Sequence, residues 1–529
     1  MHPTAILEQT FTTAAATKRL TLMKQMKPNS IYTFFTYKFS TYTFLGTSLL
    51  LLTYTFTNTV SANENSLTQQ LVRIKQQTGV GAVAYALVEN NNIVATGGIG
   101  KYGLKNTLPV TETSLFRIGS ITKTFTSLAV MRLVEQGKLQ LNDAVKTFSP
   151  NIPLHNPWPE IPVTLAMLLE HTAGLQDLTR EEFDYPQPLS LQAALNLKPE
   201  ARQLHWRPGY HFGYSNLGAG YVGRVIEIAT HENYDDWFER EILMTLNMQH
   251  SQLHWTKELE QNLVSGYDSD LKTKIPYWHT LFRPFGGLNT SAKDMANFLL
   301  LFTGAPNANK NLFSVGSIKR METPETSLAA KAGLKVGYGL GIRSRYVNGH
   351  KIYGHSGDGD GYLAEFAYNK QSQRGYFIVI NAFRHDILED FTTRLDNWLI
   401  EHLPVEKETN LTVSVKPLSR NKALTLIGDY REVATRFPFN SNTAAETLHI
   451  NKVGNELFRC FSVTKTNKCK KILPVSDTLF RIEGESHASM IFINAPNGNL
   501  YLQGSFGNYQ KTNLRRIFLK SDIVSPIEP

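Results

Sequence analysis

Ser120 and Lys123 have the residue types and the spacing of a nucleophile and its base. Residues three apart lie on one face of a helix, so the lysine amine can reach the serine hydroxyl. Lysine can take the serine proton when burial and nearby cations lower its pKa. At a helix start the Ser120 amide is also free to donate to an oxyanion. We therefore predict acyl-transfer chemistry at Ser120, the alternative being an N-cap serine beside a surface lysine.

A second group, Tyr214-Ser215-Asn216, lies farther along the chain. A tyrosine hydroxyl beside a lysine amine can pass a proton between the nucleophile and the leaving group. The Asn216 amide could hold Lys123 and bind a substrate carbonyl. The alternative is an ordinary loop tyrosine before a predicted helix over 219–228, with Asn216 near its cap.

A third group, Gly354-His355-Ser356-Gly357, directly precedes a predicted strand. A glycine at a strand edge lets a substrate backbone approach closely, as in strand addition. The amide of Asp358 could be a second oxyanion donor, and a protonated His355 could donate to a substrate carboxylate. His355, Ser356, Gly357 and Asp358 are therefore candidate substrate-binding residues, the alternative being a surface histidine in a Gly-rich turn.

In order and spacing, the three groups resemble the Ser-x-x-Lys, Tyr-x-Asn and Lys/His-Thr/Ser-Gly motifs of the penicillin-binding proteins and class C β-lactamases. The segments Leu168–Leu175, Gly286–Ser291 and Tyr338–Gly341 are also similar to that family. The resemblance extends from residue 66 to about residue 400. It implies an α/β (α+β) fold of the β-lactamase/transpeptidase-like type, with an antiparallel sheet, flanking helices and a helical region. It also implies an active site at their junction, with Ser120, Lys123 and Tyr214 as catalytic residues.

The substrate stays open at this point. His355 stands where class C enzymes that hydrolyse antibiotics usually carry lysine, which resembles the peptidases and esterases of the family. We expect a D,D-carboxypeptidase-like hydrolase of small peptides or amides ending in D-alanine. An esterase and a class C-like β-lactamase are the enzymatic alternatives. The alternative of another class is a penicillin-recognising sensor or a protein that binds cell-wall peptidoglycan. Such a protein would become acylated at its serine but would not turn over.

The elements that position these residues follow from hydrophobic periodicity. Strands are predicted over 81–88 and 92–95, and again over 362–368 and 375–381. The helix after Ser120 carries one apolar stripe and ends at Gly137, and a second amphipathic helix ends the region. Strands at both ends with helices between them predict an antiparallel sheet built from both ends of the chain.

The predicted domain plan has four parts. Residues 1–62 form a signal peptide, 63–403 the hydrolase domain, 404–419 a linker and 420–529 a small β domain, either a barrel or a sandwich. A hairpin turn at Pro496-Asn497-Gly498 supports the last assignment. The small β domain is similar to one appended to some family members.

The N-terminal segment has basic residues, then an apolar run over 44–52, then Val60-Ser61-Ala62. This order is typical of a secretory signal cleaved after Ala62, so we expect an exported protein, periplasmic or extracellular. An uncleaved membrane anchor is the alternative. Cys460 and Cys469 flank a predicted hairpin, where either a local disulfide or two free thiols would fit.

Composition argues against several other functions. The formal net charge is +9, without a dense Lys/Arg tract, so nucleic-acid binding gets no support. No HExxH or CxxC motif occurs, so no metal is predicted. The Gly98–Gly103 segment matches GxGxxG, but no predicted helix follows it, so no dinucleotide cofactor is expected.

Overall fold

The computed structural model describes residues 66–183, 185, 187–277, 279–303, 312–404, 417–437, 447–463, 466–504 and 507–512. The predicted signal peptide lies outside these residues, as does most of the predicted linker, residues 405–416. No helix in the described ranges combines the length and apolar character that a membrane crossing requires.

The first domain contains a mainly antiparallel β structure. Its strands are β1 (Ala82–Glu89), β2 (Asn92–Gly100), β3 (Phe116–Arg117), β4 (Asn289–Thr290), β5 (Arg343–Val347), β6 (His350–Gly359), β7 (Tyr362–Asn369) and β8 (Arg374–Ile380). Six of them form one sheet in the order β2-β1-β8-β7-β6-β5, and β3 pairs with β4 separately. The N-terminal hairpin pairs with β8, so the sheet is assembled from both ends of the domain, as predicted.

Most helices lie in the sequence between the two sets of strands, whereas α1 precedes the first strand and α14 follows the last; together they cover both faces of the sheet. They are α1 (Leu67–Thr78), α2 (Thr122–Glu135), α3 (Val145–Phe148), α4 (Leu165–Leu169), α5 (Arg180–Phe183), α6 (Leu191–Asn196), α7 (Asn216–Thr230), α8 (Tyr234–Phe238), α9 (Lys257–Asn262), α10 (Arg283–Gly286), α11 (Ala292–Leu300), α12 (Val315–Met321), α13 (Leu328–Lys331) and α14 (His385–Ile400).

Strand β1 shows why this sheet is buried on both sides. Successive side chains of a strand point to opposite faces. Ala82 and Ala84 join the core that contains the helical region, whereas Val83 and Tyr85 join a second core with residues of α1 and α14. The sheet is therefore the middle layer of three.

Helix α2 runs through the first of these cores and follows a 3-10 turn, Gly119–Ile121, that carries Ser120. The predicted apolar stripe is buried, and so are the polar side chains of the first two turns, from Thr122 to Ser127. Those polar groups are satisfied by backbone carbonyls: Thr124 donates to Gly341 O at 2.6 Å and Thr126 to Pro284 O at 2.7 Å. A helix held on all sides fixes Ser120 at its N-terminus.

The C-terminal domain is a closed barrel rather than a sandwich. After helix α15 (Arg420–Leu426), the described residues contain strands β9 (Gly428–Val433), β10 (Thr447–Val453), β11 (Glu456–Val463), β12 (Thr466–Pro474), β13 (Leu479–Ile482), β14 (Met490–Asn494), β15 (Leu500–Gly504) and β16 (Gly507–Lys511). They pair in sequence and close through β16 and β9. Large apolar side chains fill the interior. Cys460 and Cys469 lie opposite each other on β11 and β12 and form a disulfide.

Candidate active site

Lys123 lies directly beside the predicted nucleophile. Its Nζ is 2.9 Å from Ser120 Oγ and donates to Phe285 O at 3.0 Å. The lysine is 3% exposed. Burial lowers the pKa of Lys123 well below its usual range; the Asp177 carboxylate opposes this shift and the Arg436 guanidinium adds to it. A buried amine of lowered pKa can be neutral and accept the Ser120 proton.

Tyr214 contacts the same hydroxyl. Its hydroxyl is hydrogen-bonded with Ser120, and its ring centroid lies 4.9 Å from Lys123 Nζ. Burial raises the pKa of Tyr214 above its usual range, although the bond to Ser120 opposes that shift. Tyr214 is therefore a neutral phenol that can relay a proton, and Lys123 is the better base.

Strand β6 presses against the turn that carries Ser120. A Cβ placed on Gly357 would lie 1.8 Å from Ile118 O, and one on Gly119, whose φ is +51°, would lie 2.4 Å from Asp358 O. Neither position has room for a larger side chain. The two glycines thus allow the backbone at Asp358 to lie beside the backbone at Ser120.

The pairing of β6 with β7 leaves a donor for an oxyanion. A two-residue turn joins Gly359 to Tyr362, and the next opposed pair is Asp358 with Leu363. Opposed pairs of an antiparallel ladder alternate between hydrogen-bonded and non-bonded, and such a turn closes on a bonded pair. The Asp358 N–H therefore points away from β7. The amides of Asp358 and Ser120 can together bind the oxyanion of a tetrahedral intermediate.

Replacing Gly357 with alanine should displace β6 from the Ser120 turn. Because the new Cβ would overlap Ile118 O, the Asp358 amide must shift, and we expect kcat to fall by about 10²–10³-fold, the usual cost of losing one oxyanion donor. Steady-state kinetics and a thermal melt would measure the effect. Gly316→Ala is the control, since its Cβ would meet Ser314 Oγ at 3.5 Å. Unchanged kcat in Gly357→Ala would contradict this oxyanion site.

His355 does not have the environment expected of a cationic substrate donor. Its Nδ1 donates to Ser356 O, so its Nε2 accepts from the Tyr338 hydroxyl at 2.7 Å. Burial, together with the nearby Lys123 amine, lowers the pKa of His355 to about 3. The ring is neutral near pH 7 and both nitrogens are engaged. His355 thus orients Tyr338, which packs against His171 and Tyr214 in the wall of the site.

Asn216 is held by a carboxylate that the sequence did not single out. Asp177 Oδ1 accepts from Asn216 N at 2.7 Å, and Asp177 Oδ2 accepts from Asn216 Nδ2 at 3.1 Å. Because a carboxylate can only accept, the amide nitrogen must face Asp177. Asn216 Oδ1 is buried and has no hydrogen-bond partner within the described chain. The free group of Asn216 is therefore an acceptor, which suits a substrate N–H better than the substrate carbonyl considered from the sequence.

The structure thus brings Ser120, Lys123, Tyr214, His355 and Asp358 into one site. Asn216 reaches Asp177 rather than Lys123, and Ser356 contributes its carbonyl to the His355 ring. Sequence reasoning missed four participants: Asp177, His171, the Phe285 carbonyl and Arg436. The described residues contain no group of three or more His, Cys, Asp or Glu side chains suited to a metal ion.

His171 and Asp177 carried a weak signal in the sequence. His171 lies inside the family-like segment Leu168–Leu175, and Asp177 follows that segment closely. In the structure His171 accepts from Ser215 N at 3.2 Å, and its backbone carbonyl accepts from Gly213 N at 2.7 Å. The segment therefore fixes the loop that carries Tyr214.

Known proteins resemble the part of the chain that contains Ser120. The beta-lactamase family profile matches residues 66–396. Protein flp of Staphylococcus aureus (strain NCTC 8325 / PS 47) is 26% identical over 244 residues, which are 45% of this chain and 48% of that protein. The chain thus spans about half the length of this curated relative.

Solved structures share the fold. The octameric penicillin-binding protein homologue from Pyrococcus abyssi superposes with a TM-score of 0.55 at 22% identity, covering 84% of this chain and 99% of its own. The D-alanine carboxypeptidase AmpC from Burkholderia cenocepacia superposes with a TM-score of 0.51 at 20% identity, covering 63% of this chain and 98% of its own. With its Ser120 site inside the matched region, this chain belongs to the beta-lactamase family of serine hydrolases.

Proposed function

We propose that this protein is an exported serine hydrolase that cleaves small peptides or amides ending in D-alanine through an acyl-enzyme at Ser120. The observation that carries the proposal is the contact of Ser120 Oγ with Lys123 Nζ at 2.9 Å. The Tyr214 hydroxyl is hydrogen-bonded with the same serine.

The reaction has two halves. In the first, Lys123 takes the Ser120 proton as Oγ attacks the substrate carbonyl carbon, and the amides of Ser120 and Asp358 stabilise the oxyanion. Tyr214 passes a proton to the leaving amine as the C–N bond breaks. In the second half, water attacks the acyl-enzyme and the same groups take its proton. They return that proton to Ser120 Oγ as the C–O bond breaks and the acid is released.

Two observations favour a peptide or amide over a simple ester. The buried Asn216 Oδ1 lacks a donor within the described chain, and a substrate N–H would supply one. Strand β5 pairs with β6 over residues 350–354, so β5 ends before residues 355–359. An extended peptide could add to that edge of β6 next to Ser120. A D-alanine carboxypeptidase among the structural neighbours is consistent with this substrate class.

Export is part of the proposal. It rests on the signal-like sequence of residues 1–62 and on the Cys460–Cys469 disulfide, because disulfides persist mainly in oxidising compartments.

A matched substrate panel tests the function. The full-length protein is mixed with an acylated D-Ala-D-Ala dipeptide, its L-Ala-L-Ala counterpart, the D-alanyl-D-lactate ester and benzylpenicillin, and released product is counted per mole of protein. We expect many equivalents of D-alanine from the D-peptide and little product from the L-peptide. Product from the ester alone would indicate an esterase instead. Release that stops at one equivalent would indicate a sensor, and rapid turnover of penicillin without peptide cleavage would indicate a β-lactamase.

A further inference from the structure

The barrel domain holds the segment that leads into Tyr214. Gln503 of β15 donates from Nε2 to Tyr210 O at 3.0 Å, and Asn508 of β16 donates from Nδ2 to Phe212 O at 2.6 Å. The ring of His211, between them, packs on Tyr501 with 4.7 Å between centroids. The backbone just before Tyr214 is therefore attached to the barrel wall.

Arg436, shortly after β9, extends this contact into the active site. Its Nε donates to Asp177 Oδ2 at 2.6 Å, and its guanidinium lies 5.0 Å from the centre of the Tyr214 ring. The backbone joins the same two residues, since Asp177 N donates to Arg436 O at 2.9 Å. The barrel and the hydrolase domain thus meet at the group that holds Asn216.

Asp177 needs the charge that Arg436 supplies. The Asp177 side chain is fully buried, whereas that of Arg436 is 44% exposed. The two carboxylate oxygens of Asp177 accept from Asn216 N, Asn216 Nδ2 and Arg436 Nε. A buried carboxylate is stable when it is paired and hydrogen-bonded. Without the guanidinium, the carboxylate that orients Asn216 would lose its cationic partner.

We infer that Arg436 is a positioning residue supplied by the barrel, which holds Asn216 through Asp177 and holds the Tyr214 ring by direct contact. The inference rests on the proposed acyl-transfer function, because it assigns Arg436 a part in that reaction. It gives the barrel a role in catalysis: the domain completes the Tyr214 side of the site.

Three variants of the full-length protein test the inference. Arg436→Ala removes both side-chain contacts, the one with the Asp177 carboxylate and the one with the Tyr214 ring. Arg436→Lys keeps the positive charge. Arg431→Ala is the matched control, because Arg431 is an exposed arginine of the neighbouring strand β9. Each variant is measured for kcat and KM on the D-peptide, for the pH dependence of kcat/KM, and for its melting temperature.

We expect Arg436→Ala to lower kcat by about 10²-fold, the loss typical of a misplaced catalytic group, with a smaller change in KM. Arg436→Lys should recover most of this loss, and Arg431→Ala should match wild type. The acidic limb of the pH profile should move to higher pH in Arg436→Ala, because a positive neighbour of Lys123 is gone. The other groups around Lys123, namely Asp177, Asp358, Tyr214, His171 and His355, are unchanged. In Arg436→Lys, the acidic limb of the pH profile should lie at the same pH as in wild type.

Two results would overturn the inference. One is wild-type kcat and pH profile in Arg436→Ala. The other is an equal loss in Arg436→Ala and Arg436→Lys with an unmoved pH profile and a lowered melting temperature, which would indicate a merely structural contact.

Hydrogen–deuterium exchange of the unliganded protein separates this inference from the proposed function. We expect faster exchange over residues 210–216 in Arg436→Ala, and wild-type exchange in Arg436→Lys and Arg431→Ala. That result would support the positioning role even if the wild-type protein cleaved no peptide. A failure to cleave peptide would count against the proposed function but not against the positioning role. Equal exchange in all variants would contradict the positioning role whatever the protein cleaves.

Discussion

Replacing Ser120 with alanine should lower kcat by about 10⁶-fold, the scale of loss when the serine nucleophile of a hydrolase is removed. The reason is that the acyl-enzyme cannot form without Oγ, while Lys123 and the oxyanion donors alone give little rate. Alanine at this half-buried position removes one oxygen, so the fold should be retained. Product release from the D-peptide, followed over hours, gives the measurement.

The control for this variant is Ser269→Ala, which removes a hydroxyl from an exposed loop. It should retain wild-type turnover. Substantial turnover in Ser120→Ala, with a melting temperature equal to that of wild type, would mean that another group is the nucleophile.

Replacing Lys123 with alanine should slow acylation by about 10²–10⁴-fold, the usual contribution of a positioned base. Lys123→Arg should be slow as well, because a guanidinium stays protonated and cannot accept the serine proton. The single-turnover rate of acylation by benzylpenicillin would show both effects, with the exposed Lys138→Ala as the control. Fast acylation by Lys123→Arg would show that the position needs charge rather than a base.

The pH dependence of wild-type acylation tests the same assignment. A lysine base works only when deprotonated, so the rate should rise with pH and level off above the pKa of Lys123. Because burial lowers that pKa well below its usual range, the plateau should begin below pH 10.5. An acylation rate that falls as pH rises over this range would contradict the assignment.

Local patterns in the sequence were enough to predict the parts of the site that lie on regular elements. Ser120 and Lys123 lie one helical turn apart, and Gly357 and Asp358 share one strand, so each pair could be proposed from its spacing. The resemblance of all three motifs to one family then joined them into a single predicted site. The helix after Ser120 and the closing strands were likewise predicted by hydrophobic periodicity. The barrel was predicted as one of two β architectures, since strand patterns do not show whether a sheet closes.

What the sequence did not reveal depends on contacts between distant residues. Asp177 and Arg436 are 259 positions apart, and neither belongs to a recognisable motif. Their pairing follows from the way the barrel packs beside the Tyr214 segment. The neutral state of His355 also escaped prediction, because it depends on burial and on the Tyr338 hydroxyl, which neighbouring sequence does not specify.

The proposed reaction requires a covalent acyl-enzyme at Ser120. Its most direct test is the intact mass of the full-length protein during incubation with benzylpenicillin, run in parallel with Ser120→Ala. We predict a mass increase equal to the whole penicillin in the wild-type protein, located by peptide mapping on Ser120 and absent from Ser120→Ala. No adduct and no hydrolysed penicillin in the wild-type protein, or an adduct of equal yield in Ser120→Ala, would contradict acyl-enzyme formation at Ser120.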